Sequence, residues 1–210
     1  MRLSLTATVV GAAVATCVVR ATAQAPTGHE AHMAQMAAAP KDAAVRLMTP
    51  QPIIGDVKMV DQDGRATTLR EALGSDKPVL VNFIFTSCTT ICPVMSAGMS
   101  QFLTNLGAGR DDVRVVSISI DPEADRPDAL RAYAARYHAS PAWRFLTGTP
   151  AAVEAAQRTF GSYRGGKNNH APGTFVRSAA SAPWIALDGF SSAETLMHAA
   201  LGHLVPSPSS

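Results

Sequence analysis

Two stretches constrain this fold more than any other feature of the chain: VLVNFIF at 79–85 and VRVVSIS at 113–119. Both have strand length and run almost continuously apolar. A strand wet on one face alternates apolar and polar residues, whereas a continuous apolar run belongs to a strand covered on both faces. Helices must therefore lie above and below these two strands, and the intervening sequence supplies them. The spacing predicts one helix from about Cys92 to Leu106, with Pro93 at a tolerated early position. RPDALRAYAARYH, 126–138, has helical spacing as well. WRFLTG reads as a short strand. Thr149 is an N-cap candidate followed by Pro150, opening a helix to about Phe160.

Upstream, two short strands are expected to flank the turn-forming cluster Asp61-Gln62-Asp63-Gly64. Downstream, TFVRS (174–178) and PWIALD (183–188) suggest an antiparallel pair. Ser191 and Glu194 form a capping-box pattern that opens a last helix, 192–204. Alternating strands and helices that end on an antiparallel pair and a helix give an α/β, thioredoxin-like fold: a central mixed sheet flanked by helices. The folded domain is expected over 51–205, a disordered tail over 206–210, and a flexible linker rich in Ala, Pro, His and Met over 24–50.

Residues 1–23 read as an export signal. Arg2 starts it, the 17-residue apolar run LSLTATVVGAAVATCVV follows, and Ala21-Thr22-Ala23 is a cleavage candidate, as is Ala23-Gln24-Ala25. The alternative is a retained anchor that tethers the protein to a membrane, since the run is at the lower limit for a span. Export would place the protein outside the cytoplasm, and the periplasm is the expected compartment. The formal charge is +2, and both excess charges, Arg2 and Arg20, lie in this segment, which has no acidic residue. The remainder is balanced, so nothing in its charge calls for a nucleic-acid partner.

Three cysteines are present. Cys17 lies in the signal, leaving Cys88 and Cys92 in TSCTTICPVMS, 86–96. A loop this short stabilises little as a disulfide, so the pair points to chemistry. It lies just beyond the carboxyl end of a buried strand, where open α/β sheets place their sites. At i,i+4 on a helix start, both sulfurs would share one face and feel a positive dipole end that favours thiolate. Three readings fit: a copper site, because thiolates suit Cu(I); a redox dithiol; and a short structural disulfide.

Copper would need a third ligand. His138 and His203 fall near helix ends, where surface or capping roles are expected, and His198 is expected to be structural in mid-helix. His170 lies in GGKNNHAPGTF, a loop entering a strand, which in a thioredoxin fold faces the first helix N-terminus. It is therefore placed to reach Cys88 and Cys92. His29, His32, Met33 and Met36, in GHEAHMAQM, are copper-ligand types in the linker and could capture the ion for the folded site. No phosphate-cradling loop, dinucleotide fingerprint, haem-attachment motif or serine elbow is present.

FIFTSCTTICPVMS, SISIDPEADRPDALRAYAARY, WRFLTG and a histidine five residues before an aromatic strand residue resemble the Sco/SenC copper-chaperone family, over roughly residues 50–204. The resemblance implies copper, as Cu(I), Cu(II) or both, on Cys88, Cys92 and His170. It also implies a role in assembling the binuclear copper centre of cytochrome c oxidase. Partners would be the oxidase's copper-bearing subunit or another copper chaperone. Some members act instead as thiol–disulfide reductants, and Cys88 and Cys92 would then be the redox pair. Asp121 matches a family acidic residue and is expected to support the ligands. Asn169 stands where the family usually has Asp before the histidine; it can hydrogen-bond but adds no charge. Pro172 lies where many thioredoxin-like proteins carry a cis proline, which adds weight to the redox reading.

Overall fold

A computed structural model describes residues 43–204. The expected signal, most of the expected linker, His29, His32, Met33, Met36 and Cys17 lie outside the described residues.

Eight strands form one mixed sheet: β1 (Ala44–Leu47), β2 (Lys58–Asp61), β3 (Ala66–Thr68), β4 (Val79–Ile84), β5 (Arg114–Ser119), β6 (Trp143–Thr147), β7 (Gly173–Arg177) and β8 (Ile185–Asp188). Their order across the sheet is β1-β8-β7-β4-β5-β6-β2-β3. β4 pairs in parallel with β5, and β5 with β6. β7 runs antiparallel to β4, and β8 to β7. The two continuous apolar runs are thus neighbours at the centre of the sheet, and every residue of β4 is buried.

Among the described residues five α-helices cover the sheet: α1 (Leu69–Leu73), α2 (Ile91–Leu106), α3 (Pro127–Arg136), α4 (Pro150–Thr159) and α5 (Ala193–Ala200). The two-residue period of β4 divides its side chains between two cores. Leu80 and Ile84 pack with Met99, Phe102 and Leu103 of α2, Leu130 and Tyr133 of α3, and Leu196 and Ala199 of α5. Val79, Val81 and Phe83 pack with Leu69 and Leu73 of α1 and Val153 and Ala156 of α4. This is the thioredoxin-like α/β arrangement. Among the described residues no helix is long and apolar enough to cross a membrane.

Several boundaries differ from expectation. β1 occupies residues read as linker: Ala44–Leu47 pairs with β8, so the sheet begins before residue 51. Strand pairing across 140 residues leaves no local trace in a four-residue segment. α1 was not foreseen, because five residues hold too little of a helical period. Its start carries a full capping box, with the Thr68 amide donating to Glu71 Oε2 at 2.9 Å and the Glu71 amide to Thr68 Oγ1 at 3.1 Å. α5 is capped by Ser192, which accepts from the Thr195 amide at 3.1 Å, rather than by Ser191. α5 stops at Ala200, short of the expected 204, because Gly202 takes a positive φ of 73° and turns the chain. Thr149 caps α4 as expected, accepting from the Ala152 amide at 3.2 Å.

Candidate metal centre

β4 ends at Ile84, and the chain then loops through Phe85–Thr90 before α2 begins at Ile91. Cys88 therefore lies in the loop and only Cys92 in the helix, so the pair does not share one helical face. The relation is closer to a cap. The first amides of a helix lack intrahelical acceptors, and here the Cys92 amide donates to Cys88 Sγ at 3.4 Å. Thr90 Oγ1 lies 3.8 Å from the same sulfur. Both thiols are free and buried.

Their environments push them apart. Burial pushes the Cys88 thiol up, but hydrogen bonds from the amides of Cys92 and Thr90 outweigh it, and its pKa is lowered. Burial also pushes Cys92 up; a hydrogen bond with the backbone of Phe85 offsets only part of this, and the neighbouring Cys88 and the charge of Asp125 add to the rise. Cys88 is the readily ionised sulfur and Cys92 the protonated one beneath it.

The loop is anchored from below by Asp125, which is fully buried. Its carboxylate accepts the Thr86 amide at 3.1–3.2 Å, the Thr86 hydroxyl at 2.5 Å and the Ser119 hydroxyl at 2.7 Å. Sequence reasoning singled out Asp121 and passed over Asp125. The available signal was the last acid of Asp121-Pro-Glu-Ala-Asp125, in the same short turn after a buried strand as Asp121.

The third expected ligand arrives from the opposite side. A single 3₁₀ turn, Lys167–Asn169, ends on His170, whose amide donates to the Lys167 carbonyl. His170 Nε2 lies 2.9 Å from the Phe83 carbonyl of β4. A carbonyl only accepts, so Nε2 carries the proton and Nδ1 the lone pair. Nδ1 is buried without a partner. Burial lowers the imidazole pKa and the Phe83 bond only partly restores it, so the ring is neutral. This is the state in which imidazole binds metals, with the other ring nitrogen held by a backbone acceptor.

Cys88 and His170 line one cavity of about 320 Å³, together with Phe85, Thr90, Lys167 and Asn168. Cys92 lies behind Cys88. Among the described residues no three His, Cys, Asp or Glu side chains stand close enough together to hold one metal ion. The structure therefore brings an imidazole and a thiol to one cavity without closing them into a coordination sphere. A larger hollow of about 870 Å³ lies beside the β2–β3 hairpin, but its lining contains no thiol or imidazole.

The remaining expected residues fall as follows. Asp121 is buried and paired with Lys167 rather than with a ligand side chain; that carboxylate's hydrogen bond raises the pKa of the ammonium. Asn169 is exposed and donates to the Arg164 carbonyl at 3.2 Å, while the backbone of Phe83 orients the imidazole. Pro172 follows a trans bond, the cis bond among the described residues being Thr49–Pro50. His138 closes α3 with a φ of 52°. His198 is exposed rather than structural, its ring 6.2 Å from that of His203.

The SCO1/SenC family model matches residues 46–182. The chain is 45% identical over 89 residues to the SCO1 protein homolog of Bacillus subtilis, covering 42% of this chain and 45% of that one. It is 30% identical over 122 residues to the SenC protein of Rhodobacter capsulatus, covering 58% and 53%. These matches span about half the length of the curated relatives. Among solved structures, BsSco is 29% identical with a TM-score of 0.55, over 70% of this chain and 85% of that one. It is described as a Sco-family cytochrome c oxidase assembly protein with a disulfide switch. Copper-bound ScoI of Bradyrhizobium japonicum is 25% identical with a TM-score of 0.57, over 72% and 97%. With the family model matching well over half its residues and the fold shared with solved Sco proteins, this chain belongs to the SCO1/SenC family.

Proposed function

We propose that this protein is a copper chaperone. It would hold one copper ion through Cys88, Cys92 and His170 and use it to mature the binuclear copper centre of cytochrome c oxidase. The observation that carries the reading is that one cavity is lined by both residues: a cysteine whose sulfur accepts a helix amide, and a histidine whose buried Nδ1 lone pair has no partner. Thiolate and imidazole are both copper ligands, and two soft sulfurs favour Cu(I). An unpartnered buried acceptor is costly in a finished core, and a metal would satisfy it. Copper-bound ScoI of Bradyrhizobium japonicum and the oxidase-assembly role stated for BsSco support the cargo and the destination.

The separation of the three ligand groups bears on how the ion would be held. Copper would first meet Cys88 at the cavity wall, and His170 would close on it as its loop moves. Such an open site suits an ion that must be passed on. Residues 1–23 would export the protein to the periplasm or tether it there. His29, His32, Met33 and Met36 would gather copper for the domain. The oxidase's copper-bearing subunit or another copper chaperone would be its partner.

A second reading rests on the unequal sulfurs. A readily ionised Cys88 over a protonated Cys92 is the arrangement of a thiol–disulfide reductant, in which the outer thiolate attacks and the inner thiol resolves. This activity would keep a partner's copper-site cysteines reduced. Titrating copper into the reduced full chain against a competing chelator, with X-ray absorption at the copper edge, tests the first reading. One ion per chain with sulfur and imidazole nitrogen in the first shell is expected; a sulfur-free shell overturns it.

A further inference from the structure

The candidate ligands sit on two separate loops, and something must set the distance between them. The turn Asp121–Asp125, which follows β5, touches both. At one end the buried Asp125 carboxylate takes the amide and hydroxyl of Thr86, two residues before Cys88, and the Ser119 hydroxyl. At the other end Asp121 pairs with Lys167, while the carbonyl of Lys167 accepts the amide of His170. The turn is itself held together: the Asp125 amide donates to the Asp121 carbonyl at 2.8 Å, and the Asp121 amide to Ser119 Oγ at 3.0 Å.

We propose that the Asp121–Asp125 turn is a brace with one fixed and one releasable end. Asp125 fixes the cysteine loop through Thr86, and Asp121 latches the histidine loop through Lys167. Opening the latch changes how far the imidazole stands from the thiols. The inference deepens the copper reading and rests on it. Lys167 and Asp121 are positioning residues that act through His170.

The two ends differ in the way the roles require. Asp125 and Ser119 are fully buried and Thr86 half-buried, so breaking these bonds would leave a buried carboxylate without its donors. The Lys167 side chain is 42% exposed, and ion pairs at such sites contribute little and are screened by salt. Its ammonium also lies 5.8 Å from the centre of the Phe85 ring, on the cavity wall, so the latch closes over the same cavity that Cys88 and His170 line. On the other side of the 3₁₀ turn, Gly165 has a φ of 82°, a conformation that suits glycine and gives the loop a pivot.

The test uses the full reduced chain, copper-free and copper-loaded, as wild type, Lys167→Gln, Lys167→Arg and Asp121→Asn. In the copper-free protein, hydrogen exchange at amides 167–171 should rise about threefold in Lys167→Gln, the scale of an exposed ion pair, and stay near wild type in Lys167→Arg. Raising salt should reproduce that rise in wild type and leave Lys167→Gln unchanged, which a purely structural role would not do. Copper release to a chelator should quicken by a similar factor. Equal exchange and equal salt response in wild type and Lys167→Gln overturn the brace. If the wild type takes up no copper, the chaperone reading fails, and the exchange arm still decides the latch. Should Asp121→Asn fail to fold, the exposed Lys167 variants carry the test.

Discussion

The amide of Cys92 donates to the sulfur of Cys88 across 3.4 Å, so the second residue of a helix holds the thiolate of the residue four positions before it. Little separates the two sulfurs along the chain, yet one is lowered in pKa and the other raised. The pair is therefore ordered, with an outer reactive sulfur and an inner one that waits.

Alkylation should reveal that order. In the reduced, copper-free protein, iodoacetamide should label Cys88 well before Cys92. The Cys88 rate should climb through a midpoint below that of an ordinary free thiol, because its thiolate is favoured. Cys92 should label only as the fold opens. Peptide mass spectrometry across pH 5–10 reads both, and equal rates for the two sulfurs would contradict the assignment.

Replacing His170 with Ala separates metal binding from dithiol chemistry. Copper affinity should fall at least roughly tenfold, about 1.4 kcal/mol, since two sulfurs are left to hold the ion. Reduction of a model disulfide should change far less, because the Cys92 amide still cradles Cys88. Chelator competition and a disulfide-reduction assay on the same preparations decide it. An unchanged affinity together with lost reduction would make His170 a redox-tuning residue.

Acid should destabilise the copper-free fold through the same imidazole. Burial lowers the pKa of His170 in the folded state, below the unfolded value of about 6.5. The unfolded chain therefore takes up a proton first as pH falls. The contribution is fully present above about 6.5 and is lost as pH drops toward the lowered folded value. Urea midpoints for wild type and His170→Gln should converge or cross between pH 7 and pH 5, with the wild type losing more. Parallel curves for the two proteins would refute a buried neutral imidazole.

Asp125→Ala should cost roughly 3 kcal/mol, since the Thr86 amide and hydroxyl and the Ser119 hydroxyl lose a buried acceptor. Chemical denaturation measures the loss. A cost under about 1 kcal/mol would mean that water replaces the carboxylate and that the loop is not anchored there.

Core truncation provides the comparison. Phe102 is fully buried between α2 and the sheet, with Met99 and Leu103 in the same cluster. Phe102→Ala should cost about 3–5 kcal/mol. The alkylation order of Cys88 and Cys92 should survive wherever the variant remains folded, because the sulfur cradle lies at the helix start, well along the chain from Phe102.

The central strands, the helices after them and the thiol pair were legible because each is written in a short window. Unbroken apolar runs mark β4 and β5, period-3.6 spacing marks α2 and α3, and Thr149-Pro150 marks the start of α4. The errors fell where the window was too short or the partner too distant. Ala44–Leu47 becomes a strand only because β8 lies alongside it. Two adjacent serines, Ser191 and Ser192, offered alternative caps one residue apart, and the helix is capped by the second.

Sequence alone determined the chemistry available to this protein: two cysteines beyond a buried strand, one loop histidine and a family pattern around them. Tertiary structure decided which atoms of those residues are free to act. The Phe83 carbonyl that turns His170 is 87 residues away, the carboxylate that anchors Thr86 is 39 away, and the Asp121 paired with Lys167 is 46 away. Local pattern reports periodicity and propensity, which are set by neighbours in the chain. Hydrogen-bond partners across such separations depend on where the sheet's crossovers bring the loops, and no short window of sequence contains that path.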